Sequence, residues 1–275
     1  MPRVLTDQVI IITGASSGIG AATAIQCAKA GMDTVLNARR ADRLEQVAAH
    51  IRELGREAKV VPGSVTDEGM TEQMLDAAQD AFGRFDVVFA NAGYGFERSV
   101  AQMGDEELRK IFDVNFFASF DLLRHAANRL INDERPGHLL MCSSCLAKFT
   151  LPFFSAYSAT KAAQNHFCRA MRLELARNHI EVSSVHPITT TTEFFEVSNQ
   201  LSGKADNTST VPDHASKMFV QTPETVARAV VRCLRKPRPE VWTSHIVRSV
   251  AGVMTAFPRF FDLVVRKQAK GRRDV

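Results

Sequence analysis

Tyr157 and Lys161 stand four residues apart in Ser155-Ala-Tyr157-Ser-Ala-Thr-Lys161, at the start of an apolar-periodic segment. On a helix that spacing stacks both side chains on one face. A free phenol, with a pKa of about 10, holds its proton too tightly for acid–base work at neutral pH. An ammonium one turn away favours the phenolate, and lowering the phenol by about two to three units corresponds to roughly 3–4 kcal/mol of differential stabilisation. A cationic cofactor ring would add to this. A surface tyrosine beside a solvated lysine is the plain alternative. The pair acquires meaning only if the chain also supplies a redox cofactor, a substrate carbonyl and a partner for its oxygen.

Four stretches must position such a site. Gln8 to Thr13 is a short β-branched run followed by Gly14-Ala-Ser16-Ser17-Gly18-Ile19-Gly20 and an alanine-rich helical pattern ending near Gly31. This predicts a strand, a glycine loop and a helix, with backbone free to approach a pyrophosphate and helix N–H groups to favour its charge. A strand from Asp33 to Ala38 delivers Arg39 and Arg40 where a cofactor's adenosine ribose lies in a doubly wound sheet. The absence of an acid there, with arginine available for charge-assisted bonds to a 2′-phosphate, favours NADP over NAD.

A strand from Asp86 to Ala90 ends in Asn91-Ala92-Gly93-Tyr-Gly95, small residues against which a flat ligand can lie. The strand from His138 to Cys142 runs into Ser143-Ser144, with Ser144 thirteen residues before Tyr157, so that a second hydroxyl can serve the same oxygen.

Helical patterns over 42–54, toward Gly83, over about 104–130 and over 155–178 alternate with strands at 58–61 and 180–185. That alternation predicts a parallel sheet covered on both faces. Asn115 falls among apolar neighbours in the long 104–130 pattern, where its amide must find partners; a helix-distorting core amide is its bland role. A threonine cluster, Thr189 to Thr192, opens a polar loop through Thr210. A loop of that length over a sheet edge reads as a lid, with simple disorder the alternative.

The 45% apolar content is that of an ordinary globular protein. The net charge of +4 resides in the last ten residues, where Arg266, Lys267, Lys270, Arg272 and Arg273 face Asp274 alone. The rest is balanced, which argues against a nucleic-acid-binding face. Met1 to Asp7 shows no apolar leader, and five cysteines fit free thiols in a reducing compartment, so a cytoplasmic location is expected. Cys142-x-x-Cys145 lacks a second pair, and no metal site is expected.

Taken together, Thr13-Gly-Ala-Ser-Ser-Gly18-Ile-Gly20, Asn91-Ala-Gly93, Asn115, Ser144, Tyr157-x-x-x-Lys161 and the strand end at Pro187 resemble the short-chain dehydrogenase/reductase (SDR) family in order and spacing. The resemblance implies an α/β fold with one Rossmann-type doubly wound parallel sheet, and hydride transfer between a nicotinamide and a carbonyl or alcohol carbon. It implies that Tyr157 exchanges the proton, Ser144 holds the substrate oxygen, Lys161 binds the nicotinamide ribose and Asn115 keeps a relay water.

Cofactor contacts are implied for Gly14, Gly18, Ile19 and Gly20 at the pyrophosphate and for Ser16, Ser17 and Arg39 at the 2′-phosphate. Ser64, Val65, Asn91, Ala92 and Gly93 would line the adenosine and backbone side, and Pro187, Ile188, Thr190 and Thr192 the nicotinamide. Two positions depart from the family pattern: Ser64, where an aspartate is usual, and Ile188, where a glycine is usual.

The expected organisation is a dehydrogenase domain over 1–245, including a substrate loop over 188–222, then an amphipathic extension and basic tail over 246–275. That extension reads as a pocket cover, a subunit contact or a membrane-surface anchor. Leu146, Phe149, Phe153, Phe154, Phe194 and Phe195 suggest an apolar pocket for a lipophilic ketone or aldehyde. The family resemblance further implies a homodimer or homotetramer. A cofactor-binding sensor or scaffold, or an epimerase or dehydratase on the same fold, are the competing functions.

Overall fold

Successive residues of a strand point to opposite faces, and the first strand, β1 (Val9–Thr13), is apolar on both: Ile10 and Ile12 enter one core cluster, Val9 and Ile11 the other. This pattern demands helices on both sides. A computed structural model, which describes residues 2–203 and 219–269, supplies them.

The first half comprises α1 (Gly18–Lys29), β2 (Asp33–Ala38), α2 (Ala41–Glu53), β3 (Ala58–Pro62), α3 (Met70–Phe82) and β4 (Val87–Ala90). After α4 (Asp105–Phe112) and α5 (Ala118–Asn132) come β5 (Gly137–Cys142), α6 (Ser155–Glu174) and β6 (Ile180–His186). The chain continues through β7 (Thr189–Thr190), α7 (Phe194–Leu201), β8 (Val220–Gln221), α8 (Pro223–Arg235), β9 (Glu240–Trp242), α9 (His245–Ala256) and α10 (Pro258–Ala269).

The main sheet runs β3-β2-β1-β4-β5-β6-β9 with every pairing parallel, which is the doubly wound Rossmann-type architecture. Strand order reverses between β1 and β4, and in open sheets of this kind ligands bind outside the carboxyl ends of the strands at that point. Val226 and Val230 of α8 join Leu44 and Ile51 of α2 on one face, while Leu75 of α3, Leu122 of α5 and Met171 of α6 cover the other.

Strands β1 to β6 fall within a residue or so of their sequence-derived bounds, whereas β7, β8 and β9 have no counterpart among the expected strands. The long helical pattern over 104–130 runs without a break, but widens between α4 and α5 into a π-helical turn, Asp113–Phe117. Part of the expected polar loop, 194–201, is instead α7, because Phe194 and Phe195 have apolar surface to bury. Of the expected substrate loop over 188–222, residues 204–218 lie outside the described residues, as does the end of the basic tail, 270–275.

Candidate active site

Ser144 follows β5 and is held from three sides. Its Oγ accepts from Leu146 N at 3.1 Å, capping a short 3₁₀ turn, Cys145–Ala147. Its carbonyl accepts from His186 Nδ1 at 2.9 Å, and the next residue, Cys145, donates its N–H to Pro187 O at 3.0 Å. His186 stacks on Trp242 with ring centroids 4.6 Å apart, and burial pushes its imidazole down to about 4. A neutral ring with its proton on Nδ1 is therefore a fixed donor at physiological pH. Sequence reading passed over His186, whose one local signal is its place beside Pro187 at the end of β6.

Tyr157 and Lys161 lie in the first two turns of α6, and Lys161 Nζ sits 5.6 Å from the Tyr157 ring centroid. The ammonium is buried and donates to Cys142 O at 2.7 Å. Burial pushes Lys161 down to about 8. Burial also raises the Tyr157 phenol, against a lowering contribution from its hydrogen bond with Ser144. In the cofactor-free chain the phenol is therefore not depressed as the spacing predicts: burial disfavours the phenolate, and Lys161 donates instead to Cys142 O at the end of β5. The phenol keeps its proton and is poised to donate.

Asn115 is fully buried in the π turn. Its Oδ1 accepts from Tyr94 N at 3.0 Å, and its Nδ2 donates to Tyr94 O at 2.9 Å and Thr160 Oγ1 at 3.1 Å. Its carbonyl takes bonds from Ser119 Oγ at 3.0 Å and from Gln164 Nε2. These side-chain donors on the carbonyl accompany the widened turn, a distortion frequent at functional sites. The same amide ties the Gly93–Gly95 segment to α6. A Cβ at Gly93 would lie 3.0 Å from Asn115 Oδ1 and 3.5 Å from Lys161 Nζ, so the glycine permits both to converge. Gly95 plays the same part against Tyr157 Cδ2, at 3.1 Å, and Phe194 Cζ, at 2.7 Å.

A second cluster forms at the ends of β1, β2 and β4. Gly14 adopts φ +64°, and Gly20 packs so tightly that a Cβ would fall 2.2 Å from Gly14 O. Thr13 Oγ1 accepts from Asn91 N and Ala92 N at 2.9 and 3.0 Å, while Asn91 Nδ2 returns to Thr13 O at 3.0 Å. The Asn91 amide therefore braces the glycine loop. Ser17 stands at the N-cap of α1 without a side-chain cap bond, which leaves the first-turn N–H groups to an anion. These features fit a pyrophosphate: backbone donors at a helix start, approached over glycines.

Arg39 is exposed and makes no ion pair among the described residues, whereas Arg40 Nη2 reaches Ser16 Oγ at 3.3 Å, Ser17 Oγ at 3.1 Å and Glu193 Oε2 at 2.6 Å. Ser64 and Val65 follow β3, where Ser64 N donates to Asp67 Oδ2 at 2.7 Å. On the opposite side, Thr190 Oγ1 donates to Ile188 O at 2.8 Å and accepts from Gln221 Nε2 at 3.0 Å. The Thr192 methyl lies over Gly18, 2.9 Å from where a Cβ would stand. Residues 187–193 thus bridge the Ser144 turn and the glycine loop.

Among the described residues there is no cluster of three or more metal-binding side chains, and the five cysteines are free. A family model described as short chain dehydrogenase matches residues 8–202. The chain belongs to that family. The human dehydrogenase/reductase SDR family member 7 is 30% identical to this short-chain dehydrogenase over 246 residues, which cover 88% of this chain and 71% of the relative. An uncharacterised oxidoreductase of Bacillus subtilis, YxnA, is 28% identical over 96% of this chain and 72% of its own length. Among solved structures, an alcohol dehydrogenase from Thermococcus sibiricus complexed with 5-hydroxy-NADP superposes with a TM-score of 0.72 at 26% identity, covering 86% of this chain and 95% of that one. This SDR is accordingly an oxidoreductase of a family that uses a nicotinamide cofactor and small-molecule substrates.

Proposed function

We propose that this SDR is an NADP(H)-dependent oxidoreductase that interconverts a lipophilic ketone or aldehyde and its alcohol. The observation that carries the reading is the buried Tyr157 phenol in hydrogen-bond contact with Ser144, beside a buried Lys161 whose Nζ lies 3.5 Å from where a Cβ on Gly93 would stand. When bound, the nicotinamide supplies or accepts the hydride. Tyr157 donates the proton to a carbonyl oxygen during reduction and takes it back during oxidation. The Ser144 hydroxyl orients that oxygen, its own backbone fixed by His186 and Pro187. Lys161, whose Nζ donates to Cys142 O here, would hold the nicotinamide ribose and would favour the phenolate left on Tyr157 after proton transfer. Asn115 shapes the turn that sets Tyr94 and Thr160 around them.

Gly14, Gly18, Ile19 and Gly20 with the α1 N-terminus hold the pyrophosphate, and Ser64, Val65, Asn91, Ala92 and Gly93 line the adenosine side. Pro187, Ile188, Thr190 and Thr192 would hold the nicotinamide. Ser16, Ser17, Arg39 and Arg40 would receive the 2′-phosphate, and the NADP preference rests on these side chains alone. Phe194 stacks edge-on against Tyr157, centroids 5.5 Å apart, and gives the substrate side an apolar wall.

We infer a cytoplasmic homodimer or homotetramer, with the dehydrogenase unit over 1–245 and the extension over 246–275. Phe117, 54% exposed beside the Phe116–Phe120–Phe167 cluster, is the apolar surface that a second copy would cover.

NADPH oxidation with ketones and aldehydes of graded size tests the reading, with Tyr157→Phe run beside the native chain and the best substrate repeated with NADH. Loss of turnover by about 10²-fold or more in the variant supports it, since acid–base groups contribute about 10²–10⁴. Full activity in the variant sinks the tyrosine assignment. Equal use of NADH sinks the NADP preference.

A further inference from the structure

The extension has two unlike faces. On α9, Ala251 is buried, and Thr255 Oγ1 donates to Lys148 O at 3.0 Å. Beyond α9, Phe261 meets Phe149 edge-on at 6.0 Å. These contacts lay the extension on the segment between Ser144 and Tyr157.

The other face points away from the protein. Ile246, Val250, Val253 and Phe257 follow one another at spacings of four, three and four residues, which on a helix makes one stripe. They are 62, 41, 52 and 63% exposed, and Leu263 continues the apolar surface onto α10 at 65%. Burying such a stripe is favourable by about 25 cal/mol per Å² of apolar area, so it wants a cover.

Charge selects among the covers. Residues 245–275 hold seven basic side chains, Arg248, Arg259, Arg266, Lys267, Lys270, Arg272 and Arg273, against Asp262 and Asp274. A second copy docking stripe to stripe would bring two strongly cationic segments together, and like charges repel. An anionic lipid surface offers both complements at once, a hydrocarbon boundary for the stripe and negative headgroups for the basic residues. Neither α9 nor α10 spans a membrane; no helix among the described residues is long and apolar enough to do so.

We propose that α9 and α10 form an interfacial docking surface that binds this SDR to anionic bilayers, with Ile246, Val250, Val253 and Phe257 entering the headgroup–acyl boundary. The docked face is the reverse of the one that covers Lys148 and Phe149. The extension then lies between the bilayer and the segment that follows Ser144, a placement suited to a carbonyl compound dissolved in lipid. This consequence rests on the proposed activity; the docking itself does not.

Flotation with vesicles separates the two, because it needs no turnover. The native chain is expected to float with vesicles of equimolar phosphatidylcholine and phosphatidylglycerol and to bind pure phosphatidylcholine about tenfold more weakly or less, since each Lys or Arg near an anionic surface contributes about a factor of five. V253D/F257D should lose binding by about tenfold or more, and R272Q/R273Q should lose a similar factor. Both variants should keep the native thermal transition and NADPH affinity. Absence of flotation by the native chain overturns the proposal. So does undiminished binding by V253D/F257D, which would leave the basic tail acting without the stripe. Sedimentation of the native chain as a dimer that V253D/F257D converts to monomer, without vesicle binding, would assign the stripe to a second copy instead.

Discussion

Arg40 Nη2 lies 2.6 Å from Glu193 Oε2, joining the end of β2 to the entry of α7 across Ser16 and Ser17. Thr192, one residue earlier, covers Gly18, so residues 192–193 close over the glycine loop from the side opposite α1. The Arg40 guanidinium holds the Glu193 carboxyl below its usual range. A carboxylate thus occupies the guanidinium that a 2′-phosphate would claim, and NADP(H) must displace it while NAD(H) need not.

Glu193→Gln should therefore tighten NADPH binding and leave NADH binding unchanged. Both partners of the pair are more than a third exposed, at 45 and 39%, so solvent and salt screen it. An exposed pair of this kind contributes about 0.2–1 kcal/mol, which limits the gain to about 1.4- to fivefold in Kd. Titration of the quenching or enhancement of NADPH fluorescence, at two ionic strengths, reads this directly. An equal gain for NADH would mean that Glu193 hinders loop opening in general and not the phosphate in particular.

The chain has two tyrosines, Tyr94 and Tyr157, so tyrosinate absorbance is readable without ambiguity. Burial is the leading cause for both phenols and opposes the charged form, so both titrate above the ordinary value of about 10 in the cofactor-free chain. Addition of NADP⁺ should bring one titration to lower pH, as the cationic ring and a Lys161 released from Cys142 favour phenolate. Tyr157→Phe should abolish that component and leave the Tyr94 step in place. A cofactor-independent curve would separate Lys161 from any control of the phenol.

The sheet and the glycine loop were legible because their causes are local. Val9 to Thr13 can form only a short buried strand, and the glycines after it mark a turn and a close approach. Tyr157 and Lys161 were legible for the same reason, being one helical turn apart. What spacing could not weigh is desolvation, which depends on everything packed around α6 and reverses the expected direction at Tyr157 without cofactor. Arg39 and Arg40 are neighbours of one type, and only the three-dimensional position of Glu193 distinguishes them. His186 gave no chemical signal because its function is to grip a backbone carbonyl from a distant segment. The π turn around Asn115 likewise depends on Tyr94, Thr160 and Gln164, none of which is near it in sequence.

Asn115→Leu separates architecture from chemistry. The substitution leaves Tyr94 N, Tyr94 O and Thr160 Oγ1 without their amide partner inside the protein. Unsatisfied buried groups cost about 1–3 kcal/mol each, and partial relaxation sets the expected loss at about 2–4 kcal/mol in a urea melt. Turnover should fall further than NADPH affinity, because the Gly93–Gly95 segment and α6 lose their shared clamp. Asn115→Asp keeps the shape and one acceptor, and should recover part of the stability. An Asn115→Leu chain as stable as the native one would show that the clamp is dispensable to the fold.

Gly20→Ala tests the glycine loop at its tightest point. The added methyl would stand 2.2 Å from Gly14 O and 2.7 Å from Asn91 Nδ2, and the first of these is backbone with no rotamer to escape into. The start of α1 must shift, at a cost of about 1–3 kcal/mol, or about 3–10 °C in Tm for a chain of this size. The shift also moves the N–H groups that face the pyrophosphate, so NADPH affinity should drop by about tenfold or more, as a charge-assisted hydrogen bond contributes about 1.5–3 kcal/mol. Gly252→Ala provides the contrast. That glycine lies inside α9 with no atom near its absent Cβ, and its replacement should stabilise the helix by about 0.5–1 kcal/mol without touching NADPH binding. If Gly20→Ala lowered Tm but kept native NADPH affinity, the loop would be a structural turn and the pyrophosphate would have to be sought elsewhere along the carboxyl edge of the sheet.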